Sequence, residues 1–112
     1  MEVKASARGL PISPQKIRLV CDVVRGKDAE QAVTILRFMP QKGAEFVGKV
    51  IASAMANAEN NFQLNPQDLY VKTIFADEGL TMKRMKAGAR GRYKPRVKRA
   101  SHVTVILDER ED

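Results

Sequence analysis

Nine cations fall within seventeen residues of this 112-residue chain: Lys83, Arg84, Lys86, Arg90, Arg92, Lys94, Arg96, Lys98 and Arg99. No Asp or Glu occurs anywhere in residues 79–107. Side chains of this kind at this density hold phosphate. Arginine forks onto phosphate oxygens or stacks on an exposed base, while lysine acts as a mobile point charge. Tyr93 is the one aromatic among them and offers a stacking surface. Gly88 and Gly91 let the backbone reverse or come close to a nucleic acid. Met82 and Met85 add apolar grip at one end.

The residues that would build a catalytic centre are sparse. Cys21 lies on the apolar face of a helical pattern, where a small core residue is the simpler reading than a nucleophile. His102 is the only histidine, so neither a His-based metal cluster nor a Ser-His-Asp set forms around a second one. It reads as a strand-edge residue in reach of RNA. Asp77 and Glu78 are neighbours on a strand and face opposite ways, which suits a hairpin root or an ion pair better than paired acid–base work. Gly88-Ala89-Arg90-Gly91 lacks the Gly-Lys-Ser/Thr ending of a phosphate-cradling loop. The chain is expected to be no enzyme, and to need neither cofactor nor metal.

Charge is divided unevenly. Residues 1–78 hold 10 Lys/Arg and 9 Asp/Glu, and the last five residues carry one arginine against four acids. The net charge of +7 therefore comes from one segment inserted in a nearly neutral body. Such a segment repels itself unless an anionic partner is present. With 44% hydrophobic residues the body is expected to fold as one domain. No apolar run approaches the ~20 residues of a membrane span. The N-terminus lacks the apolar stretch of a secretory signal. A lone cysteine suits a reducing interior, so a cytoplasmic location is expected.

The elements that must position the basic segment follow from periodicity. Val3, Ala5 and Ala7 alternate with Lys4, Ser6 and Arg8 as in a half-buried strand. Leu10-Pro11-Ile12 breaks it. Ser13 before Pro14 opens a first helix with Ile17, Val20, Cys21 and Val24 inside, Lys16, Arg18 and Arg25 elsewhere, and Gly26 as the stop. Asp28 with Gln31 predicts a capping box for a second helix that ends at Pro40. A third helix spans roughly Gln41 to Asn61, with Ala44, Val47, Val50, Ile51, Ala54, Met55 and Ala58 on one face. Leu69 to Ala76 is apolar on both faces and predicts a central strand. Val103 to Leu107 predicts another.

The basic segment lies between those last two strands, so it is expected to form a long antiparallel hairpin, with cations on both faces. Ten residues per arm would reach roughly 30 Å at ~3.3 Å per residue. The expected fold class is α+β: three helices on a small antiparallel sheet, with a protruding basic hairpin. The single domain divides into a body (1–79 and 101–112) and an arm (80–100).

A specific resemblance covers nearly the whole chain in order. Ser13-Pro14-Gln15-Lys16-Ile17-Arg18-Leu19-Val20, Arg25-Gly26 and Ser53-Ala54-Met55-Ala56-Asn57-Ala58-Glu59-Asn60 match in the first half. Asp77-Glu78-Gly79, Met82-Lys83-Arg84, Arg90-Gly91-Arg92 and Lys98-Arg99-Ala100-Ser101-His102 match in the second. The sequence resembles bacterial large-ribosomal-subunit proteins of the L-twenty-two family, and departs at Lys86-Ala87-Gly88-Ala89, where family members often carry proline.

The resemblance implies a body on the surface of the large subunit and a hairpin threaded through ribosomal RNA to the nascent-peptide exit tunnel. It also implies a role in early assembly. The tip would be Lys86, Ala87, Gly88, Ala89, Arg90, Gly91 and Arg92. Lys83 and Arg84 would lie near the tunnel, Lys98 and Arg99 nearer the root, and Lys16 and Arg18 would meet RNA from the first helix. Arg8, Lys94, Arg96 and His102 complete the expected RNA-binding set. Large-subunit ribosomal RNA, neighbouring ribosomal proteins and the nascent peptide are the partners implied, with the protein ribosome-bound in the cytoplasm and no membrane involved.

Two rivals share the basic composition. A DNA-bending protein with a β-ribbon arm usually works as a dimer with an apolar or proline wedge at the tip; here Pro95 is on the returning strand, away from Gly88. A membrane-active ribbon needs more apolar surface than this segment has.

Overall fold

Apolar residues return every three or four positions in three stretches, and each stretch is a helix. The computed structural model describes residues 1–79, 82–87, 93–98 and 100–110. In it α1 spans Pro14–Val24, α2 Ala29–Phe38 and α3 Lys42–Phe62. The strands among the described residues are β1 (Val3–Leu10), β2 (Leu69–Glu78), β3 (Met82–Ala87), β4 (Tyr93–Lys98) and β5 (Ser101–Glu109). An antiparallel sheet has the order β1-β5-β2, and β3 pairs with β4 in a second, two-stranded sheet. This is the α+β arrangement expected. Among the described residues no helix is long and apolar enough to cross a membrane.

The helix starts are where the sequence places them, but they are held differently. Ser13 is the N-cap of α1 with Pro14 directly after it, yet its hydroxyl makes no capping bond. Asp28 is the N-cap of α2, and the expected capping box with Gln31 does not form. Its carboxylate is taken instead by the Arg110 guanidinium, which also donates to the Gly26 carbonyl at 3.0 Å and lies 4.8 Å over the Tyr70 ring. Arg110 thus ties the end of β5 to the α1–α2 turn. Gly26 makes that turn possible: at φ +82 it adopts a conformation few other residues tolerate, and its N–H donates to Val71.

The middle of the sheet is not where the sequence put it. Leu69–Ala76 was expected to be central, but β2 is an edge strand and β5 is the centre. The reason is a bulge. Val71 pairs with Leu107 and Thr73 with Ile106, so Lys72 is an extra residue. The side-chain alternation therefore shifts by one, and Leu69, Val71, Ile74 and Ala76 all become buried. A strand that looked apolar on both faces has one buried face, and Phe75 on the other is 39% exposed.

Helices α1 and α3 pack on the sheet with α2 alongside them. Val3 of β1 and Val103, Val105 and Leu107 of β5 close the core against Ile17, Val20, Val47 and Ile51. Cys21 is fully buried among them, and burial pushes its thiol up to about 11. That state favours a neutral, unreactive core residue. The opposite face of β1 exposes Lys4, Ser6 and Arg8.

The edge of β2 that β5 leaves free is covered by α1. Arg18 Nε donates to the Ala76 carbonyl at 3.1 Å, and Arg25 Nη2 to the Ile74 carbonyl at 2.8 Å. Unpaired strand edges are templates for unwanted pairing, and two guanidiniums here occupy the acceptors. The β2–β5 ladder runs from Leu69↔Glu109 to Glu78↔Ser101, and Gly79 N–H extends it to the Ala100 carbonyl at 2.8 Å. A Cβ on Gly79 would stand 3.1 Å from the Ala100 carbonyl carbon, tighter than ordinary contact.

Beyond that point the chain enters the β3–β4 ribbon. The molecule measures 66 × 25 × 17 Å, with a radius of gyration of 17.1 Å. A compact chain of this length would have about 13 Å. At the base of the ribbon, Ser101 is buried and its hydroxyl donates to the Ile12 carbonyl at 2.8 Å. Removing it strands a buried acceptor. Ser101→Ala is therefore expected to lower the unfolding free energy by about 1–3 kcal/mol, read from a urea denaturation midpoint; an unchanged midpoint contradicts this role.

Candidate nucleic-acid interface

The ribbon pairs Met82↔Lys98, Lys83↔Val97, Arg84↔Arg96, Met85↔Pro95, Lys86↔Lys94 and Ala87↔Tyr93. Alternate residues of a strand share a face, and directly paired residues lie on the same face. The sequence reading expected cations on both faces. What the two strands fix is the pairing, with six of the nine arm cations on them.

The register sets Arg84 directly against Arg96 and Lys86 against Lys94. Like charges placed opposite each other destabilise a strand pair. The ribbon has a phosphate-binding composition and a built-in electrostatic reason to need an anion. Of the expected set, Gly88, Ala89, Arg90, Gly91, Arg92 and Arg99 lie outside the described residues.

The body cations divide by what already occupies them. Lys16 is exposed on α1. Arg18 shares that helix, but its Nε is committed to β2. Arg25, which the sequence reading placed on the basic side of α1, spans Ile74 and the Asp22 carboxylate, the latter at 2.7 Å. Arg8 is exposed in β1, where it and Gly9 together stand opposite His102. Gly9, at φ +68, donates its N–H to His102 Nδ1 at 2.9 Å. His102 is thus a half-buried residue of the central strand, not the strand-edge residue expected. Its ring holds the β1 bulge that carries Arg8. Asp77 pairs with His102 and Glu78 with Ser101 in the ladder, and among the described residues neither acid forms an ion pair. Their place is the hairpin root.

A separate polar cluster closes the far end of the sheet. Lys72 bonds Glu2 and lies 3.7 Å from Asp108, which also meets the N-terminal amine at 3.3 Å. The hydrogen bond to Glu2 raises the Lys72 amine above its ordinary value, and the Glu109 N–H bonded to Asp108 lowers that carboxyl. These charges satisfy one another, so Lys72 is already occupied.

The division is testable. Arg25→Ala is expected to lower stability by about 1 kcal/mol or more, since it removes two charge-assisted hydrogen bonds. Lys16→Ala is expected to leave stability within about 0.5 kcal/mol of the parent. Thermal or urea melts that rank the two the other way would show that the arginine is not structural.

Comparison with known proteins agrees with this architecture. Residues 5–108 match the family model described as Ribosomal protein L22p/L17e. The chain is 53% identical over 107 residues to the large ribosomal subunit protein uL22 of Dehalococcoides mccartyi strain CBDB1, covering 96% of this chain and 98% of that one. It is 52% identical over 109 residues to the protein of the same name from Desulfotalea psychrophila, covering 97% and 99%. The corresponding protein of Herpetosiphon aurantiacus is 50% identical over 111 residues, covering 99% and 98%. A match of this extent, over a body and a basic insertion in the same order, places the chain in the ribosomal protein L22p/L17e family.

Proposed function

We propose that this chain is a structural, non-catalytic constituent of the large ribosomal subunit that grips large-subunit ribosomal RNA through its arm. The observation that carries the reading is the uncompensated positive charge of the β3–β4 ribbon. Nine cations fall within residues 83–99, the register sets Arg84 against Arg96 and Lys86 against Lys94, and residues 79–107 hold no acid to neutralise them. A folded RNA presents phosphates on several sides of a crevice, and a narrow two-stranded ribbon can enter where a globular body cannot. The cations meet phosphate. Tyr93 offers a stacking surface for a base. The names of the relatives support the large subunit as the assembly.

Within this reading the body, residues 1–79 and 101–112, seats on the subunit surface, and residues 80–100 are the arm. Arg8, Lys16, Arg18 and His102 add contacts from the body, with Arg18 limited to the guanidinium nitrogens that β2 leaves free. Lys98 and Arg99 bind near the root. Lys86 through Arg92 form the tip, which lines the nascent-peptide tunnel. Binding several RNA segments at once through body and arm would aid early assembly, beside neighbouring ribosomal proteins in the cytoplasm.

Salt dependence tests the electrostatic core of the proposal. If about six to nine arm cations neutralise phosphates, log affinity for large-subunit RNA falls against log salt with a slope of roughly −4 to −8. Competition with duplex DNA should leave most of the RNA complex intact. A slope near −1, or equal competition by duplex DNA, contradicts RNA gripping by the arm.

A further inference from the structure

Away from the ribbon, the N-terminal ends of α1 and α3 enclose a groove of about 520 Å³. The size is within the range of small-ligand sites. Its walls include Pro11, Ile12 and Leu19 on the apolar side, with Ser13 and Gln41 as polar edges. Leu19 is 66% exposed, although it sits on a helix whose other large apolar residues are mostly buried. The charged side chains in the lining are Lys16 and Lys42, both exposed and both positive. No carboxylate lines the groove, and Lys16 and Lys42 have no ion-pair partner among the described residues.

We propose that this groove receives a single unstacked nucleotide of the bound RNA, its base against Pro11 and Leu19 and its flanking phosphates on Lys16 and Lys42. The inference rests on the RNA-binding reading and adds a second, base-accepting contact on the body. Three features select this occupant. The all-positive rim matches a polyanion. The apolar wall suits the flat face of a base, which is the part of a nucleotide that leaves water most readily. Ser13 and Gln41 each offer hydrogen-bonding groups of the kind that read base edges, and RNA exposes such edges where bases are splayed out of a helix. An acidic peptide with an apolar side chain is the competing occupant, and the test separates the two.

Leu19→Cys gives a selective handle, because Cys21 is fully buried and its thiol is held neutral. A photo-crosslinker attached at that position is activated in the complex of the full chain with transcribed large-subunit ribosomal RNA, and the crosslinked site is mapped by primer extension. The expected result is one dominant nucleotide, unpaired in the RNA. The double variant Lys16→Ala, Lys42→Ala should lower affinity about tenfold and make the salt slope shallower by about 1.5, the loss of two phosphate contacts. Melting curves like those of the parent would show that the double variant is folded.

If the parent binds RNA but the crosslink is absent or scattered, and the double variant binds as the parent does, the groove proposal is overturned and RNA binding by the arm stands. A crosslink to protein in assembled subunits, without one to RNA, overturns it in favour of a peptide. If the parent itself fails to bind the RNA, the functional reading fails and the groove proposal with it.

Discussion

The antiparallel ladder between β2 and β5 is the constraint on which the rest of the molecule depends. It joins Leu69–Glu78 to Ser101–Glu109 and continues through Gly79 to Ala100. Both ends of a highly charged ribbon are thereby held at one place on a nearly neutral body. An isolated two-stranded ribbon is marginal in water, and facing like charges weaken it further. The ladder supplies the register that the ribbon has little means to hold alone. Along the same strand, Val103, Val105 and Leu107 form the middle of the core, so the core and the root of the arm are one element.

Several side chains are best understood as guards of that ladder. Arg18 and Arg25 occupy the carbonyls on its open edge, Ser101 fixes its ribbon end to Ile12, and Arg110 ties its other end to the α1–α2 turn. In a protein of this charge, every surface arginine invites assignment to nucleic acid. The geometry separates them: a guanidinium already bonded to backbone carbonyls is part of the scaffold, whereas the register of the ribbon sets like charge against like. Function follows from that separation, because the like charges left facing each other are the ones for which an anionic partner relieves the most repulsion.

Much of this was legible in the sequence wherever a simple period governs. The three helices, the turn at Gly26 and the strand at Val103–Leu107 all follow from spacing. What was hidden depends on register. The Lys72 bulge made β2 look buried on two faces and central when it is an edge. The pairing of Arg84 with Arg96 and of Lys86 with Lys94 sets like charge against like, which composition alone does not show. His102 looked like a strand-edge residue because nothing in the sequence shows that β5 is central or that its ring accepts the Gly9 N–H. Ser13 and Asp28 have the right identity for capping and the right position, but Ser13 makes no capping bond and Arg110 takes the carboxylate of Asp28. Long-range partners, 82 residues away in the last case, leave no local trace. The family resemblance covered the same ground by another route and agrees with the match over residues 5–108.

The claim at the centre of the account is that the arm, and not the body, supplies most of the grip on RNA. Excision tests it directly. Residues 80–99 are replaced by a two-residue Asn-Gly turn, which closes β2 and β5 as an ordinary hairpin. Affinity for large-subunit ribosomal RNA is then measured at about 0.15 M salt, with circular dichroism confirming that the body is folded. The account predicts a folded body whose affinity falls by about a hundredfold or more, since at least six phosphate contacts are lost. A folded, armless body that binds within a few-fold of the full chain would contradict it.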